Sequence, residues 1–148
     1  MKLYFGYLLM LVFFCNCNSS EKAEKKVTIT DGKSLYKVYQ PSEMSSLMKG
    51  MYAYNEQIKN DIEAGKAPSE FPKEFLNIHS AQLSETKSRT DNFNLYSNRF
   101  IEAQQLVFIE DTTTPVSQRY NNAIGMCISC HKTECTGPIP KIKKLLIK

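Results

Sequence analysis

The amino-acid sequence predicts an all-α protein, an antiparallel four-helix bundle that follows an N-terminal leader and a polar tether. Two observations favour this class. Apolar residues recur at three- and four-residue steps in four stretches after Pro41, which is the spacing of one face of a helix. The connections between these stretches are short, and short connections place successive helices side by side and antiparallel. With 148 residues, the chain has room for one ordinary domain.

The N-terminus has the pattern of an export signal. A positive start at Lys2 precedes a continuous apolar run, residues 3–14, which is too short to span a bilayer and suits a secretory signal. The run closes on Cys15 and Cys17 before a charged stretch, so it resembles a bacterial lipoprotein signal whose cysteine is lipidated. Cys17 is the preferred lipidation site because a compact asparagine precedes it, whereas a bulky phenylalanine precedes Cys15, the alternative.

These assignments divide the chain into three parts. Residues 1–16 are a lipoprotein signal peptide, residues 17–40 are the lipidated cysteine and its tether, and residues 41–148 are the folded domain. A plain signal peptide, or an uncleaved anchor with idle cysteines, stays open. Each alternative places the domain outside the cytoplasm, and the lipoprotein version predicts a cell-membrane or outer-membrane protein that faces the periplasm.

The charge balance of the mature chain is mild. Cleavage before Cys17 removes Lys2 and leaves 18 Lys and Arg against 15 Asp and Glu, a net charge of +3. The sequence has no basic stripe with interleaved aromatic residues, so nucleic acid is not an expected partner. The basic cluster at residues 141–148 is either a docking face for an acidic redox protein or the solvated side of a short amphipathic tail.

The first two predicted helices follow Pro41. The first starts with Ser42 as its N-cap and stops at Gly65. Its core-facing positions are Met44, Leu47, Met48, Met51, Asn55, Ile58 and Ile62. The second runs from about Pro72 to Ser84. Its apolar positions are Phe75, Leu76, Ile78, His79 and Leu83.

The other two predicted helices complete the bundle. The third begins near Asp91, with Thr90 or Asp91 as its cap, and ends at residues 110–113. Its apolar positions are Phe93, Leu95, Tyr96, Phe100, Ala103, Leu106, Val107 and Ile109. The fourth opens with Thr114 as N-cap and Pro115 at the first helical position, and it ends before the prolines of residues 137–140. Its apolar face is Tyr120, Ala123, Ile124, Cys127 and His131.

The fourth predicted helix carries Cys127-Ile128-Ser129-Cys130-His131, and Cys-x-x-Cys-His is the attachment signature of c-type haem. On a helix the two cysteines stand one turn apart, so each thiol can form a thioether with a vinyl group on one edge of a single haem. His131 then projects beneath the ring and can coordinate the iron as its proximal ligand. Haem attachment takes place outside the cytoplasm, so the export signal independently favours the same interpretation. We expect one covalently bound haem c.

Three other uses of these cysteines are alternatives to haem attachment. A zinc site made of Cys127, Cys130, Cys135 and His131 is disfavoured, because the adjacent Cys130 and His131 cannot easily point at one tetrahedral ion. A thioredoxin-like pair needs a strand before the motif, where this sequence has a helical pattern. A structural disulfide would leave His131 without a role. The remaining thiol, Cys135, is expected to be a buried small hydrophobe, with a redox-active group near the haem as the alternative.

The second axial ligand of the iron is expected from the first helix. Methionine is the common partner of histidine in electron-transfer haems, and Met48 and Met51 are the candidate distal ligands, with Met44 close behind. A bis-histidine pair with His79 is the alternative. Any one of these methionines can equally be core filler, since methionines at helical spacing commonly fill gaps. Met126 lies on the proximal helix beside Cys127 and cannot reach the opposite face of the ring.

A haem motif on the last helix of a short four-helix bundle resembles the cytochrome c′ and cytochrome c-556 superfamily. The haem motif followed by Gly137-Pro138-Ile139-Pro140, together with Leu47-Met48-Lys49-Gly50-Met51-Tyr52 on the first helix, looks like small lipoprotein cytochromes of the Bacteroidetes type. The resemblance covers residues 42–148 and implies a bundle whose first helix supplies the distal ligand. The chain departs from it by continuing 17 residues past His131. That tail either covers a haem edge or presents a docking surface.

The expected function is therefore electron transfer by an exported, membrane-anchored monohaem cytochrome, with redox proteins as partners. The cytochrome c′ resemblance implies an alternative, a five-coordinate iron that binds nitric oxide or carbon monoxide. A haem subunit of a larger respiratory complex is a further alternative. No acid–base pair or activated nucleophile stands out, so independent catalysis is not expected. The oligomeric state stays open, a homodimer included.

Overall fold

Three α-helices organise the part of the chain that the computed structural model describes, residues 40–111 and 113–148. They are α1 (Glu43–Glu63), α2 (Asp91–Leu106) and α3 (Val116–Glu134). A 3₁₀ segment, Lys73–His79, joins the first two, and a short helix α4 (Ile139–Ile142) and a 3₁₀ turn, Lys143–Leu145, follow the third. These residues contain no strand, which confirms the predicted all-α class. The predicted signal peptide, Cys15, Cys17 and the tether as far as residue 39 lie outside the described residues.

Helix α1 begins and ends as predicted. The hydroxyl of Ser42 accepts a hydrogen bond from the backbone N–H of Ser45 at 3.2 Å, which satisfies a donor that the helix itself cannot pair. At the other end Gly65 has a φ of +73°, a left-handed conformation that costs glycine little and that other residues rarely adopt. Both ends are therefore fixed by residues within one turn of the boundary.

The second predicted helix is wrong in type and extent. In place of a helix over residues 72–84, the chain forms the 3₁₀ segment Lys73–His79 and then leaves helical geometry. The reason is a long-range contact: the backbone carbonyl of Gln82 accepts from Met44 N–H at 3.0 Å, and Gln82 N–H donates to the Glu43 carboxylate at 2.8 Å. The first bond pairs a backbone N–H that α1 cannot pair at its N-terminus, and the two bonds together hold residue 82 outside any helix of its own. Phe75 and Ile78 are buried, whereas the other predicted apolar positions are exposed or half-buried: Leu76, His79 and Leu83.

The predicted cap of α2 is confirmed, but its predicted face is partly wrong. The Thr90 hydroxyl accepts from Phe93 N–H at 3.0 Å. The helix ends at Leu106, and the buried stripe passes through two polar residues, Ser97 and Gln104. Three predicted apolar positions are instead exposed by 46–50%: Leu95, Leu106 and Ile109. The face of α2 that packs against the core is therefore not the most apolar face that three- and four-residue spacing defines in this segment.

The start of α3 also differs from the prediction. Thr114 does not cap it, and Pro115 is the residue that precedes the first helical position. The polar anchor of this loop is Asp111, whose carboxylate accepts from the backbone and hydroxyl of Thr113 at 2.7 and 2.6 Å. Arg119, buried in the first turn of α3, donates to the Asp111 carbonyl at 3.1 Å and lies 3.5 Å from its carboxylate. Hydrogen bonds to Thr113, with help from Arg119, lower the pKa of Asp111.

The core consists of two clusters of buried side chains. We define the first cluster as the one around α1, the 3₁₀ segment and α2, whose buried members are Met44, Met51, Phe75, Ile78, Ala81, Phe93, Phe100 and Ile101. The second cluster joins α1, the end of α2, α3 and the tail, and its buried members are Ile58, Val107, Tyr120, Ala123, Ile124, Ile142 and Leu145. Cys127 packs against both clusters, so the haem motif begins where they meet.

The tail, residues 135–148, folds back along α3. Both atoms of the Asn121 side-chain amide bond the backbone of Ile147 at 2.9 Å, one as donor and one as acceptor. From the other side, the Lys59 ammonium donates to the carbonyls of Lys144 and Leu146 at 2.9 and 3.2 Å. Together with buried residues 142 and 145, these bonds close the second cluster.

Candidate haem attachment site

The three motif side chains lie on one side of α3. Cys127, Cys130 and His131 are all inside the helix, which continues to Glu134. At 3.6 residues per turn, their directions fall within an arc of about 100°. One planar ligand can therefore meet both thiols and the imidazole from the same side of the helix.

The part of α3 that carries the motif is less buried than the core-facing part before it. Every residue from 125 to 131 is half-buried, whereas Tyr120, Ala123 and Ile124 have no exposed surface. A methyl group added at Gly125 would meet no atom within 4 Å outside its own helix backbone. The motif half of α3 is thus neither packed into the core nor freely solvated, which suits a surface that a large apolar ligand completes.

The hydrogen bond of His131 fixes which of its ring nitrogens is free. Nδ1 lies 2.8 Å from the backbone carbonyl oxygen of Cys135. A carbonyl oxygen can only accept, so Nδ1 carries the hydrogen and donates it. In the neutral imidazole, Nε2 then holds an unprotonated lone pair, which is the form that binds a metal ion. In this tautomer, Nε2 is the ring nitrogen that is available to a metal ion.

Several contacts hold the end of α3 that carries His131. The backbone N–H of Cys135 donates to the His131 carbonyl at 3.2 Å, so residues 131 and 135 are bonded in both directions. The ammonium of Lys87 donates to the Glu134 carbonyl at 3.0 Å, where a cation also complements the helix dipole. The Thr90 hydroxyl donates to the Glu134 carboxylate at 3.0 Å. The loop before α2 therefore clamps the last turn of α3.

The two motif thiols are protonated at neutral pH. Burial raises the pKa of Cys127 to about 12 and that of Cys130 to about 11, and the negative charge of Glu134 adds to the second shift. Cysteines of dithiol oxidoreductases have lowered pKa values instead, since the thiolate is the reactive form. These surroundings disfavour a thioredoxin-like pair.

The described residues show no disulfide and no cluster of metal ligands that would support another use of the cysteines. Cys127, Cys130 and Cys135 are free thiols there, and no three His, Cys, Asp or Glu side chains converge as metal ligands. Cys135 was expected to be buried and is exposed, which corrects that prediction. The reason is its extended backbone just past the end of α3, which turns the carbonyl toward His131.

The candidate distal ligands occupy different environments. Met44 and Met51 are buried members of the first cluster, at 7% and 6% exposure. Met48 is half-buried at the edge of that cluster, as are Met126 and Cys127. His79 is exposed, and its Nδ1 lies 3.5 Å from the Ser97 hydroxyl, which donates to the Asn94 carbonyl. Met48 is therefore the distal candidate that borders the same cluster as the motif without being enclosed by it.

The residues present fit a covalently attached haem in their chemistry. They offer two free thiols, one imidazole with Nε2 available, and a thioether at the edge of the neighbouring cluster. The motif thiols and His131 were found from the sequence, but the Cys135 carbonyl and the Lys87 and Thr90 contacts were not. The Cys135 acceptor is a backbone carbonyl, which every residue type has. Lys87 and Thr90 lie 47 and 44 residues from Glu134 in the chain, so no local sequence pattern indicates these contacts.

No protein family, curated protein or solved structure matches this chain in sequence or structure comparison. Among the described residues, every helix is too short or too polar to cross a membrane.

Proposed function

We propose that this protein is an exported, lipid-anchored, monohaem c-type cytochrome that transfers electrons. The observation that carries the proposal is the bond from His131 Nδ1–H to the Cys135 carbonyl, which in the neutral imidazole places the free lone pair on Nε2 within the haem attachment motif. A histidine in the last turn of a helix can make such a bond as a cap, but here the same side of the helix also carries two free thiols at the spacing of the haem motif.

Each motif residue has a distinct role in this proposal. Cys127 and Cys130 hold the haem covalently, and His131 holds its iron from the proximal side. When bound, the haem supplies a one-electron redox couple. The carbonyl of Cys135 orients the His131 ring and makes Nε2 a stronger donor, because it accepts the Nδ1 proton partially. The clamp of Lys87 and Thr90 on Glu134 limits movement of this helix end.

Met48 is the distal ligand that we favour. It lies at the edge of the first cluster, whereas Met44 and Met51 already fill buried space there. A ligand drawn from the edge needs a side-chain rearrangement, and one drawn from the core would leave a cavity that costs about 2–5 kcal/mol. Met51 remains the second choice, and Met44 and His79 come after it.

The finer architecture is also a proposal. Helices α2 and α3 share the most extensive helix–helix contact in the described residues, and a nine-residue connection joins them. We propose an antiparallel bundle in which the 3₁₀ segment and the tail take the place of one full helix. This arrangement departs from the cytochrome c′ pattern at the second helix and at the tail.

A second candidate function is gas binding. The burial of Met44 and Met51 favours it, because core methionines that stay in place leave Met48 as the one α1 thioether at the edge of the cluster, and Met126 lies on the proximal helix. If Met48 also stays in its packing position, the iron is five-coordinate and binds nitric oxide or carbon monoxide.

The experiment that tests both functions is an absorption spectrum of the protein produced with its haem attachment machinery, oxidised and reduced. Electron transfer predicts a mass increase of one haem and a low-spin, six-coordinate iron. Met48→Leu should convert the iron to high spin, while Met126→Leu, on the proximal helix, should leave the spectrum unchanged. A chain without covalent haem contradicts the whole proposal. A high-spin iron in the unchanged protein that binds carbon monoxide favours the gas-binding function.

The proposed anchor has its own test, since Cys17 lies outside the described residues. Cys17→Ser should move the haem-loaded protein from the membrane fraction to the soluble fraction, and Cys15→Ser should not. The reverse pattern would assign lipidation to Cys15, and no effect of either substitution would contradict a lipid anchor.

A further inference from the structure

The charges of this chain are divided along its length. Residues 40–111 carry seven Lys and Arg against eleven Asp and Glu, whereas residues 113–148 carry six Lys and Arg against the single Glu134. The C-terminal part is therefore basic while the rest of the described chain is acidic. Four of those six positive charges belong to the tail: Lys141, Lys143, Lys144 and Lys148.

The tail holds these lysines on a folded surface. All four are exposed, while Ile142 and Leu145 between them are buried in the second cluster. The bonds from Asn121 and Lys59 to the tail backbone fix the segment at both sides. The Lys141 ammonium lies 4.2 Å from the centre of the Tyr52 ring, a cation–π contact that orients it beside α1. The backbone that carries the basic side chains is thus held in place, and the Lys141 ammonium is oriented.

Two carboxylates of α1 lie close to this surface. Glu56 accepts a hydrogen bond from the Tyr52 hydroxyl at 3.4 Å, and Glu63 lies 3.9 Å from the Lys59 ammonium. The charge of Lys59 is therefore balanced by Glu63, and Glu56 shares its neighbour Tyr52 with Lys141. The surface keeps an excess of positive charge after both are counted.

We infer that this basic tail surface is the docking site for an acidic redox protein. The inference rests on the proposed function, and it names the partner by its charge. The surface adjoins the motif, because Ile128, within the motif, packs against the cluster that Ile142 and Leu145 complete. A partner held by its carboxylates on the tail lysines is therefore placed beside the helix that carries the haem. Complementary fixed charges raise the rate of productive encounter more than the strength of the complex.

A protein partner fits this surface better than a lipid bilayer. Ile142 and Leu145 are buried, and Leu146 and Ile147 are half-buried against the second cluster, so the tail presents little apolar surface to a membrane interface. What remains is a set of charges at fixed separations, which a folded partner with fixed carboxylates can match.

The test uses the full-length, haem-loaded protein and two probes. The first is the oxidation rate of the reduced protein by hexacyanoferrate(III), whose negative charge stands in for that of the partner. We expect Lys143→Glu with Lys144→Glu to lower this rate about tenfold at low ionic strength, and the effect to disappear in high salt. The matched control, Lys66→Glu with Lys73→Glu, reverses two exposed lysines outside the tail and should change the rate by less than about twofold.

Three outcomes overturn the inference. An equal fall in rate for the two double variants assigns the effect to overall charge. An unchanged rate in the tail variant shows that electrons leave elsewhere. The second probe is sedimentation with phosphatidylglycerol vesicles in the Cys17→Ser background, and binding that the tail variant abolishes assigns the surface to a membrane. An intact haem spectrum in every variant separates these outcomes from failure of the proposed function, which would show as absence of covalent haem.

Discussion

The two halves of α3 have different surroundings although the helix is continuous. In the first half Tyr120, Ala123 and Ile124 have no exposed surface, and the tail closes over them. In the second half every residue from 125 to 131 is half-buried, and the nearest cluster offers methionines at its edge. We call these the closed half and the open half of α3.

The comparison shows what the additional chain beyond the motif contributes. The tail turns back over the closed half and leaves the open half, with its two thiols and His131, half-buried. Complete burial of a side chain such as Ile124 contributes roughly 1.5–3 kcal/mol, so the closed half contributes to the stability of the fold without a ligand. The open half can then keep an incompletely packed surface for a ligand without loss of the domain. Four predictions separate the two halves.

The largest expected effect is the loss of the covalent haem. Cys127→Ala with Cys130→Ala removes both thioether positions of the open half, so haem should be absent from the purified chain under denaturing conditions. Mass spectrometry measures this directly. Cys135→Ala is the matched control, since its thiol is exposed and only its backbone contacts His131. Equal loss of haem in the control would contradict the assignment of the motif.

The next effect concerns the reactivity of the thiols in protein produced without haem. A raised pKa means that the thiolate forms only at higher pH, so Cys130, with a pKa of about 11, should alkylate slowly at pH 8. Its thiolate fraction there is about a hundredfold below that of a thiol with the ordinary pKa of 9.0. Peptide mapping after iodoacetamide treatment should find Cys135 modified first. The rate at Cys130 should rise steadily from pH 8 towards pH 11, and a plateau below pH 9 would contradict the burial argument.

A third prediction weakens the closed half. The Tyr120 hydroxyl donates to the Asn55 carbonyl at 2.8 Å with both groups buried, so Tyr120→Phe leaves that bond unmade in the core. We expect a loss of about 2 kcal/mol in the free energy of unfolding, measured by urea denaturation. Tyr54→Phe removes a similar bond, to Glu70 at 3.1 Å, from an exposed site and should cost about 0.5 kcal/mol or less. Similar losses in the free energy of unfolding for the two variants would mean that water reaches the Tyr120 hydroxyl.

The smallest expected effect releases the tail. Asn121→Ala removes both bonds to Ile147 and should lower the free energy of unfolding by about 1 kcal/mol relative to Asn122→Ala. The neighbouring asparagine is an exact match in helix propensity and is exposed, so the difference isolates the tail contact. Hydrogen exchange at residues 145–147 should quicken in the first variant alone. Unchanged exchange there would show that other contacts hold the tail.

Local signals account for the parts of the fold that were predicted. The Ser42 and Thr90 caps and the Gly65 stop each act within four residues of a helix end, so the residue types alone indicate them. The helical position of the haem motif follows for the same reason.

Long-range contacts account for what the sequence could not indicate. The segment after Ile78 is not helical because Gln82 caps α1, 38 and 39 residues earlier in the chain. The exposure of Cys135 and the use of its carbonyl depend on a backbone bond, which side-chain patterns do not encode. The tail position depends on Asn121 and Lys59, whose polar side chains resemble any other surface residues in sequence.

The order of these elements along the chain has a consequence for how the protein is made. The residues that close the second cluster, Ile142 and Leu145, come after the motif, and the Lys59–Lys144 bond spans 85 residues. A chain that emerges N-terminus first therefore exposes both motif thiols before its closing segment is available. Contacts of such wide sequence separation also form slowly, because a long loop must close first. If the protein is the proposed cytochrome, the interval between emergence of the motif and arrival of the tail is the time in which an attachment enzyme reaches the thiols before the tail packs on α3.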